Sequence, residues 1–422
     1  MRKPTFLLKP SAYKPATYKM YAILPENGDG DMDVNINIGN GTRVNKDGLI
    51  GGLDSLQYDP MPSRTPRIDY LGGVGLLLEP TRTNLMTYSY SNTGMVNWNS
   101  ATNVANDAIA PDGSKKATKI IDAQTAGYSW VAKEATVTDT TATHTSSLFV
   151  KFGDRDYMYL ALQTSGGTGT SEINLNLNND GSIELVSDAS GIYLSSKSVD
   201  YGNEWIRFEI THDQDTLDDT INFMMYPAGG SDSSNTYAQG YCWVWGFQVE
   251  EGNYATSYIP TISLAVERRY DNFDVGSLVA NGLIGKTNGT IFIDVSYNET
   301  TVRDSSGAIL KIGTTNGQIL FYHNTNNIAA VVQSTDASYD TAYVNSSVAI
   351  EGADRRAKVA FVISEDNVDV WINGTKSMST NKDFYFTSEI LELSGEGVSS
   401  KIHEVTMYKK ALTDNELKRI TQ

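Results

Sequence analysis

Val368-Asp369-Val370-Trp371-Ile372-Asn373-Gly374 reads as a strand that runs into a tight hairpin turn. Apolar and polar residues alternate through its first half, the side-chain period of an extended chain. Asn followed by Gly suits the positive φ angles of a two-residue turn between antiparallel strands. The same pattern surrounds it, at 290–295, 309–312, 318–322, 328–332, 357–363 and 404–408. It recurs further upstream at 147–152, 157–162, 173–177, 205–210, 221–226 and 241–249, with turn signals such as Asn179-Asp180-Gly181 between. Helical periodicity is nearly absent, so the sequence predicts an all-β chain of antiparallel sandwiches. One short helix is expected at 412–420, where Thr413 and Glu416 have capping-box spacing and Lys418 and Arg419 follow near the end.

The chain has 422 residues, more than one usual domain. Its net charge of −17 argues against broad nucleic-acid binding, because a phosphate backbone is repelled by such a surface. The charge is uneven: Arg2, Lys3, Lys9, Lys14 and Lys19 all precede the first acid, Glu26. Pro4, Pro10, Pro15 and Pro25 disfavour a helix there. Segment 1–25 therefore reads as an extended basic arm that docks onto an acidic partner. Cys242 is the only cysteine, which excludes an intrachain disulfide framework. The start lacks the apolar run of a signal peptide, and no stretch has the apolar length of a membrane helix, so a soluble protein is expected.

Several motifs follow in order. They are Tyr21-Ala22-Ile23-Leu24-Pro25, Thr42-Arg43-Val44-Asn45-Lys46-Asp47-Gly48-Leu49-Ile50, Pro66-Arg67-Ile68-Asp69-Tyr70, and Leu76-Leu77-Leu78-Glu79-Pro80-Thr81-Arg82-Thr83-Asn84-Leu85. Together they resemble the head-spike or head-fibre module of tailed phages, which also occurs in tail fibres. The chain departs from that pattern at 33–42, where Asp33-Val34-Asn35-Ile36-Asn37 replaces an aromatic and an arginine. Gly246-Phe247-Gln248-Val249-Glu250-Glu251-Gly252 and Ala255-Thr256-Ser257-Tyr258-Ile259-Pro260-Thr261 resemble the closing strand of carbohydrate-binding jelly rolls in the same proteins. Trp371-Ile372-Asn373-Gly374 and the ending from Ala411 to Leu417 are similar to concanavalin A-like (laminin G-like) lectin domains.

The resemblance implies a capsid (head) fibre or spike in the virion, assembled in the bacterial cytoplasm. Its partners would be phage capsid or tail proteins, its own copies, often as trimers, and host surface glycan. The alternatives are a tail fibre or receptor-binding protein, a polysaccharide depolymerase with lectin modules, and a decoration fibre that binds no sugar. The expected organisation is a docking arm at 1–25, an anchor module at 26–85, a jelly roll at 86–262, a connector at 263–285 and a lectin sandwich at 286–422.

Candidate sites follow from chemistry. Sugar rings stack on flat apolar faces while their hydroxyls meet polar neighbours. Tyr157 and Tyr159 share one strand face opposite Met158 and Leu160, and Trp130 lies in a Gly/Ser-flanked stretch, so these three are the glycan-contact candidates. Trp205, Trp243, Trp245 and Trp371 sit in apolar strands and are expected in the core. No zinc spacing, nucleophile elbow or phosphate loop is present, and Cys242 reads as a core thiol. Glu250 and Glu251 are adjacent acids, but neighbouring strand residues point to opposite faces, so they do not form a glycosidase pair. No catalytic role or cofactor is expected. Calcium is the one candidate ion, at Asp29, Asp31 and Asp33 or at Asp213, Asp215, Asp218 and Asp219; the first set lacks the glycine and glutamate of an EF-hand, so a solvated turn is the simpler reading.

Overall fold

The computed structural model describes residues 2–422 except 12, 15–18, 21–22, 25–27, 30–34, 38–40, 52–65, 125–126, 167–169, 215–217, 229–238, 298–308, 314–317, 325–326, 334–354, 365–366, 381–389 and 397–398. It is antiparallel β-structure with one helix among the described residues, Asp414–Thr421. The chain divides into two compact units. The terminal unit comprises Met1–Lys46, Tyr58–Thr81 and Arg269–Gln422, and the inserted unit comprises Asp47–Gln57 and Arg82–Arg268.

In the inserted unit two six-stranded sheets form a sandwich. The first runs in the order Val96–Trp98, Trp130–Thr136, Asp218–Tyr226, Tyr157–Gly166, Thr170–Asn178, Ile183–Asp188. The second runs Ala101–Ala108, Ala117–Asp122, Gly240–Glu251, His144–Phe152, Ile206–His212, Tyr193–Asp200. Alternation decides what each strand buries. Met158, Leu160 and Leu162 point into the core beside Ile173, Leu175, Phe223, Val150 and Phe208. The segment after Gly252 is bound back against the second sheet by side chains. Asn84 donates to the carbonyls of Phe247 (3.2 Å) and Ile259 (2.8 Å) and accepts from the amides of Met86 and Val249. Gln248 accepts from the Ile259 amide at 2.7 Å, and Glu250 accepts from the Thr256 amide at 2.9 Å and its hydroxyl at 2.5 Å. The jelly-roll closing motif is thus a polar clamp, and the Glu250 carboxylate is fully occupied in it while Glu251 is exposed.

The terminal unit overturns the expected domain order. Phe6–Leu8 pairs antiparallel with Ser400–Tyr408, and Gly75–Leu78 pairs with the same strand further along. Phe6, Leu8, Leu76 and Leu78 are completely buried among Ile291, Ile293, Val359, Phe361, Val405 and Met407. Asn35–Asn37 extends the opposing sheet beside Asn272–Val275. Segment 1–25 is therefore no free arm: its prolines exclude helix but leave room for a strand whose two apolar side chains face the core. Nor are 26–85 a separate anchor and 263–285 a connector. Val266–Arg268 pairs with Arg82–Asn84 in one unit, and Asn272–Val275 pairs with Leu391–Ser394 in the other. The Asn373-Gly374 hairpin forms as expected, with φ of 46° and 82°. The terminal helix covers the outer face of that sheet with Leu417 over Trp371 and Phe292.

The motifs at 42–44, 66–70 and 76–80 meet inside this unit. Arg67 is fully buried; its guanidinium donates to Glu79 at 2.7 Å, to Asp271 at 2.5 Å and to the Thr42 carbonyl at 3.2 Å. Burial opposes its charge, but Asp271 and Glu79 raise its pKa above the ordinary value. Asp271 also accepts from the Glu79 amide, and Gly395 donates to the Asp271 carbonyl at a point where any side chain would strike the Glu79 backbone. Asp69 takes the Val44 amide and the Lys401 ammonium.

Two predictions follow from these cores. Arg67→Leu strands two carboxylates in an apolar interior and should destabilise the unit by about 3–5 kcal/mol, read as a lower urea midpoint. In the inserted unit His144 and His212 face each other in register, rings 6.3 Å apart and buried. Burial lowers the His212 pKa to about 4. The neutral ring is the folded form, so stability is full above the unfolded value near 6.5 and is lost as pH falls toward 4, by up to about 3 kcal/mol. His212→Gln should flatten the urea-midpoint profile between pH 7 and 4.5; an unchanged profile would refute the assignment.

Candidate functional site

The outer face of the first sheet of the inserted unit carries an aromatic row. Register places Trp98 opposite Trp130, Tyr159 opposite Tyr226 and Asn176, and Asn176 opposite Glu184. These residues come from six separate strands, and the strand period of two puts them all opposite the core-facing set. The Trp98 and Trp130 rings lie parallel, centroids 5.7 Å apart at 5°. Tyr128 stacks on Trp98 at 5.4 Å and meets Tyr226 at 6.0 Å; Tyr226 meets Tyr159 edge-on at 5.4 Å. Asn99, with φ of 60°, donates to the Tyr128 carbonyl and fixes the loop that brings Tyr128 to the row.

Exposure sorts these rings by role. Trp98 is 42% exposed, on an edge strand, whereas Tyr159 and Tyr226 are 5% and 4% exposed. Trp130, Tyr128 and Tyr157 are half-buried. Tyr159 and Tyr226 form a floor beneath the outer rings, and burial raises the Tyr226 hydroxyl pKa, keeping it a neutral donor. Of the three expected glycan residues, Trp130 is in the row with its ring accessible, Tyr157 lies on the same strand face, and Tyr159 supports from below. Trp98 and Tyr226 were not among the sequence candidates. The Val96-Asn97-Trp98 alternation marks a strand, but nothing local reveals that Trp98 pairs with a residue 32 positions on.

Beside the aromatics runs a bank of amides and carboxylates. Glu172 accepts from Asn174 at 2.6 Å and Gln163 at 3.3 Å. Asn176 donates to Glu184 at 3.1 Å, and Asn222 donates to Glu134 at 3.2 Å. The Oδ1 of Asn174 has no partner among the described residues. Apolar ring faces next to fixed polar groups are what a sugar requires: C–H faces stack while hydroxyls bond laterally.

The other candidates fall elsewhere. Arg2 donates to Glu416 and the Ala411 carbonyl, and Lys9 pairs with Glu404 at 3.1 Å, all within the terminal unit. Lys3 also lies in the segment leading into the Phe6–Leu8 strand, and of Lys14 and Lys19 only the backbone strands Tyr13–Lys14 and Lys19–Met20 are described. The basic docking arm therefore has no structural basis as a tether. Trp205, Trp245 and Trp371 are buried as expected, but Trp243 is half-exposed, its indole donating to Asp107 and its ring edge-on to Tyr241 with Lys119 above. Cys242 is buried against Met158, and burial raises its thiol pKa. Asp31, Asp33 and Asp215 lie outside the described residues, and Asp213 accepts from Thr143. Among the described residues no group of three or more His, Cys, Asp or Glu is placed to hold a metal. A polar cleft of ≈ 510 Å³ between loops at 152–156, 179–181 and 200–206 is lined by acids already engaged, Asp156 with Asn179 and Glu204 with Lys151.

No model of a known protein family matches the sequence, and no curated protein matches it. Solved structures give partial likenesses to binding domains. Domain 4 of the extracellular arabinanase AbnA of Geobacillus stearothermophilus, in complex with arabinotriose, is 16% identical over 36% of this chain and 73% of that one, with a TM-score of 0.29. The CBM40 of the Ruminococcus gnavus IT-sialidase is 17% identical over 32% of this chain and 84% of that one, with a TM-score of 0.27. A structure of botulinum neurotoxin type C, whose cell entry depends on interaction with two ganglioside molecules, is 12% identical over 36% of this chain, with a TM-score of 0.30. The chain spans only 39% of the length of that protein and 38% of another receptor-binding domain it matches. Trp98→Ala removes an exposed edge-strand ring and should leave the urea midpoint within about 0.5 kcal/mol of wild type, whereas Tyr226→Ala, cut from the floor, should lower stability by about 3 kcal/mol.

Proposed function

We propose that this chain binds glycan without transforming it, through the aromatic row of the inserted unit. The observation that carries the reading is the stack of Trp98 on Trp130 and Tyr128 beside the Glu172–Asn174 and Asn176–Glu184 pairs. Adjacent strands lie ~4.8 Å apart, so the four strands bearing the aromatic row span about 14 Å, room for more than one pyranose. The tyrosine floor fixes the upper rings before a ligand arrives, which reduces the ordering that binding must impose.

The biological setting we assign is a phage particle, as a fibre or spike on head or tail. The ordered motifs at 42–50, 66–70 and 76–85 support it. Their residues Arg67, Asp69, Glu79 and Asn84 are interior in this fold, so the resemblance speaks for a shared architecture rather than a shared docking surface. Attachment would then use a folded surface of the terminal unit. Assembly as a trimer would multiply weak sugar contacts by avidity.

A glycan array probed with the full chain tests the binding claim. Wild-type protein should bind, and Trp98→Ala and Trp130→Ala should each weaken binding at least about tenfold, near 1.4 kcal/mol, with the fold intact. No binding by the wild type, or binding indifferent to both substitutions, would overturn it. New reducing ends accumulating on a bound polysaccharide would overturn the non-enzymatic part alone.

A further inference from the structure

The six strands of the aromatic sheet carry Glu134, Glu172, Glu184, Asp188, Asp218 and Asp219 but only one cation, Lys133. That lysine does not reach the sugar-facing side. It points inward, is 2% exposed, and its ammonium donates to the carbonyls of Thr93 at 2.7 Å and Ser91 at 3.1 Å. Glu134, Glu172 and Glu184 lie on the outer face with the aromatic row, each accepting from a neighbouring amide. The protein does not lack cations nearby: the second sheet of the same unit holds Lys119, Lys151, Lys197 and Arg207.

Resting on the glycan-binding reading, we infer that this face takes hydroxyl- and amine-bearing sugars free of carboxylate, sulfate and phosphate groups, and rejects acidic saccharides. A carboxylate laid along the row would meet glutamates and, among the described residues of these six strands, no outward cation, and like charges brought together at a partly dehydrated surface discriminate strongly between ligands. The polar bank is also rich in acceptors. Each glutamate retains lone pairs after binding its amide. Such a surface is complemented by donors, which sugar hydroxyls, N-acetyl amides and ammonium groups supply and acidic groups do not.

The test uses the full chain and three hexasaccharide sets that share ring size but differ in charge: glucose and N-acetylglucosamine hexamers, glucosamine hexamers, and galacturonic acid hexamers. Binding is measured by calorimetry at 20 and 200 mM salt, for wild type, Trp98→Ala and the double variant Glu172→Gln/Glu184→Gln. Acidic hexamers should bind at least tenfold more weakly than the best uncharged or amino hexamer. The double variant should narrow that gap, and higher salt should narrow it too. Acidic hexamers that bind as tightly as the others, in a manner lost in Trp98→Ala, would overturn this inference and leave the glycan-binding reading standing. Absence of any Trp98-dependent binding across all three sets would overturn both.

Discussion

The fully buried guanidinium of Arg67, held between Glu79 and Asp271, is the interaction on which the terminal unit depends. It joins three segments separated by up to 204 residues: the 66–70 motif, the end of the Gly75–Leu78 strand and the stretch that returns at Asp271. Removing three charges from water is expensive, and a buried ion cluster gains little net stability over a well-packed apolar one. What it supplies is uniqueness. The Asp271 amide also donates to the Glu79 carbonyl, the Glu79 amide donates to the Asp271 carboxylate, and Gly395 donates to the Asp271 carbonyl, so a shift in register of these segments would break several buried hydrogen bonds at once. The inserted unit solves the same problem without charge, through Asn84, whose single amide bonds four backbone groups: Met86 beside it, Phe247 and Val249 of one strand, and Ile259 of the returning segment.

Each device lies within its own unit, with residues close in sequence to the boundaries at Thr81/Arg82 and Arg268/Arg269. A long insertion is tolerated when its two ends are held by strong local bonds, because loop length itself adds only slowly to the entropy of closure. Arg82–Asn84 pairs with Val266–Arg268, so the inserted unit has its own two-stranded closure at the base. The motif Leu-Leu-Leu-Glu-Pro-Thr-Arg-Thr-Asn is thus a sentence in two halves: a strand and acid for one unit, then a strand and amide for the other.

Much of this fold was legible and the illegible parts have clear physical reasons. Strands with strict alternation, such as 157–162 and 368–372, and the terminal capping box declare themselves locally. The strand Phe6–Leu8 does not. It is three residues long between prolines, and its identity is set by Met407 and Val405, about 400 residues away. Composition favoured a tether because five lysines and arginines flank it, yet two buried apolar side chains outweigh the charges of Arg2, Lys3 and Lys9, which stay exposed. The site was half legible for the same reason. Trp130 and the Tyr157/Tyr159 face follow from local pattern, whereas Trp98 and Tyr226 join them only through register. Exposure could not be read either: Tyr159 faces outward as its parity requires, but the Tyr226 ring and its neighbours cover it.

The two sheets of the inserted unit divide the chemistry of the surface between them. On the second sheet the outward aromatics Trp245 and Phe149 are covered by Tyr258 of the returning segment, with Arg207 above Phe149 at 5.4 Å. That face is closed by the clamp that Gln248 and Glu250 make. On the first sheet no returning segment crosses the row among the described residues, and the rings end in solvent at Trp98. One face of the sandwich is thus sealed by its own chain, and the other, aromatic and acidic, is the face proposed here for glycan binding. The sealing also holds that surface still: the core residues Val131, Met225 and Leu160 alternate with the row residues on the same three strands, so the packing that stabilises the unit also sets the spacing of the rings.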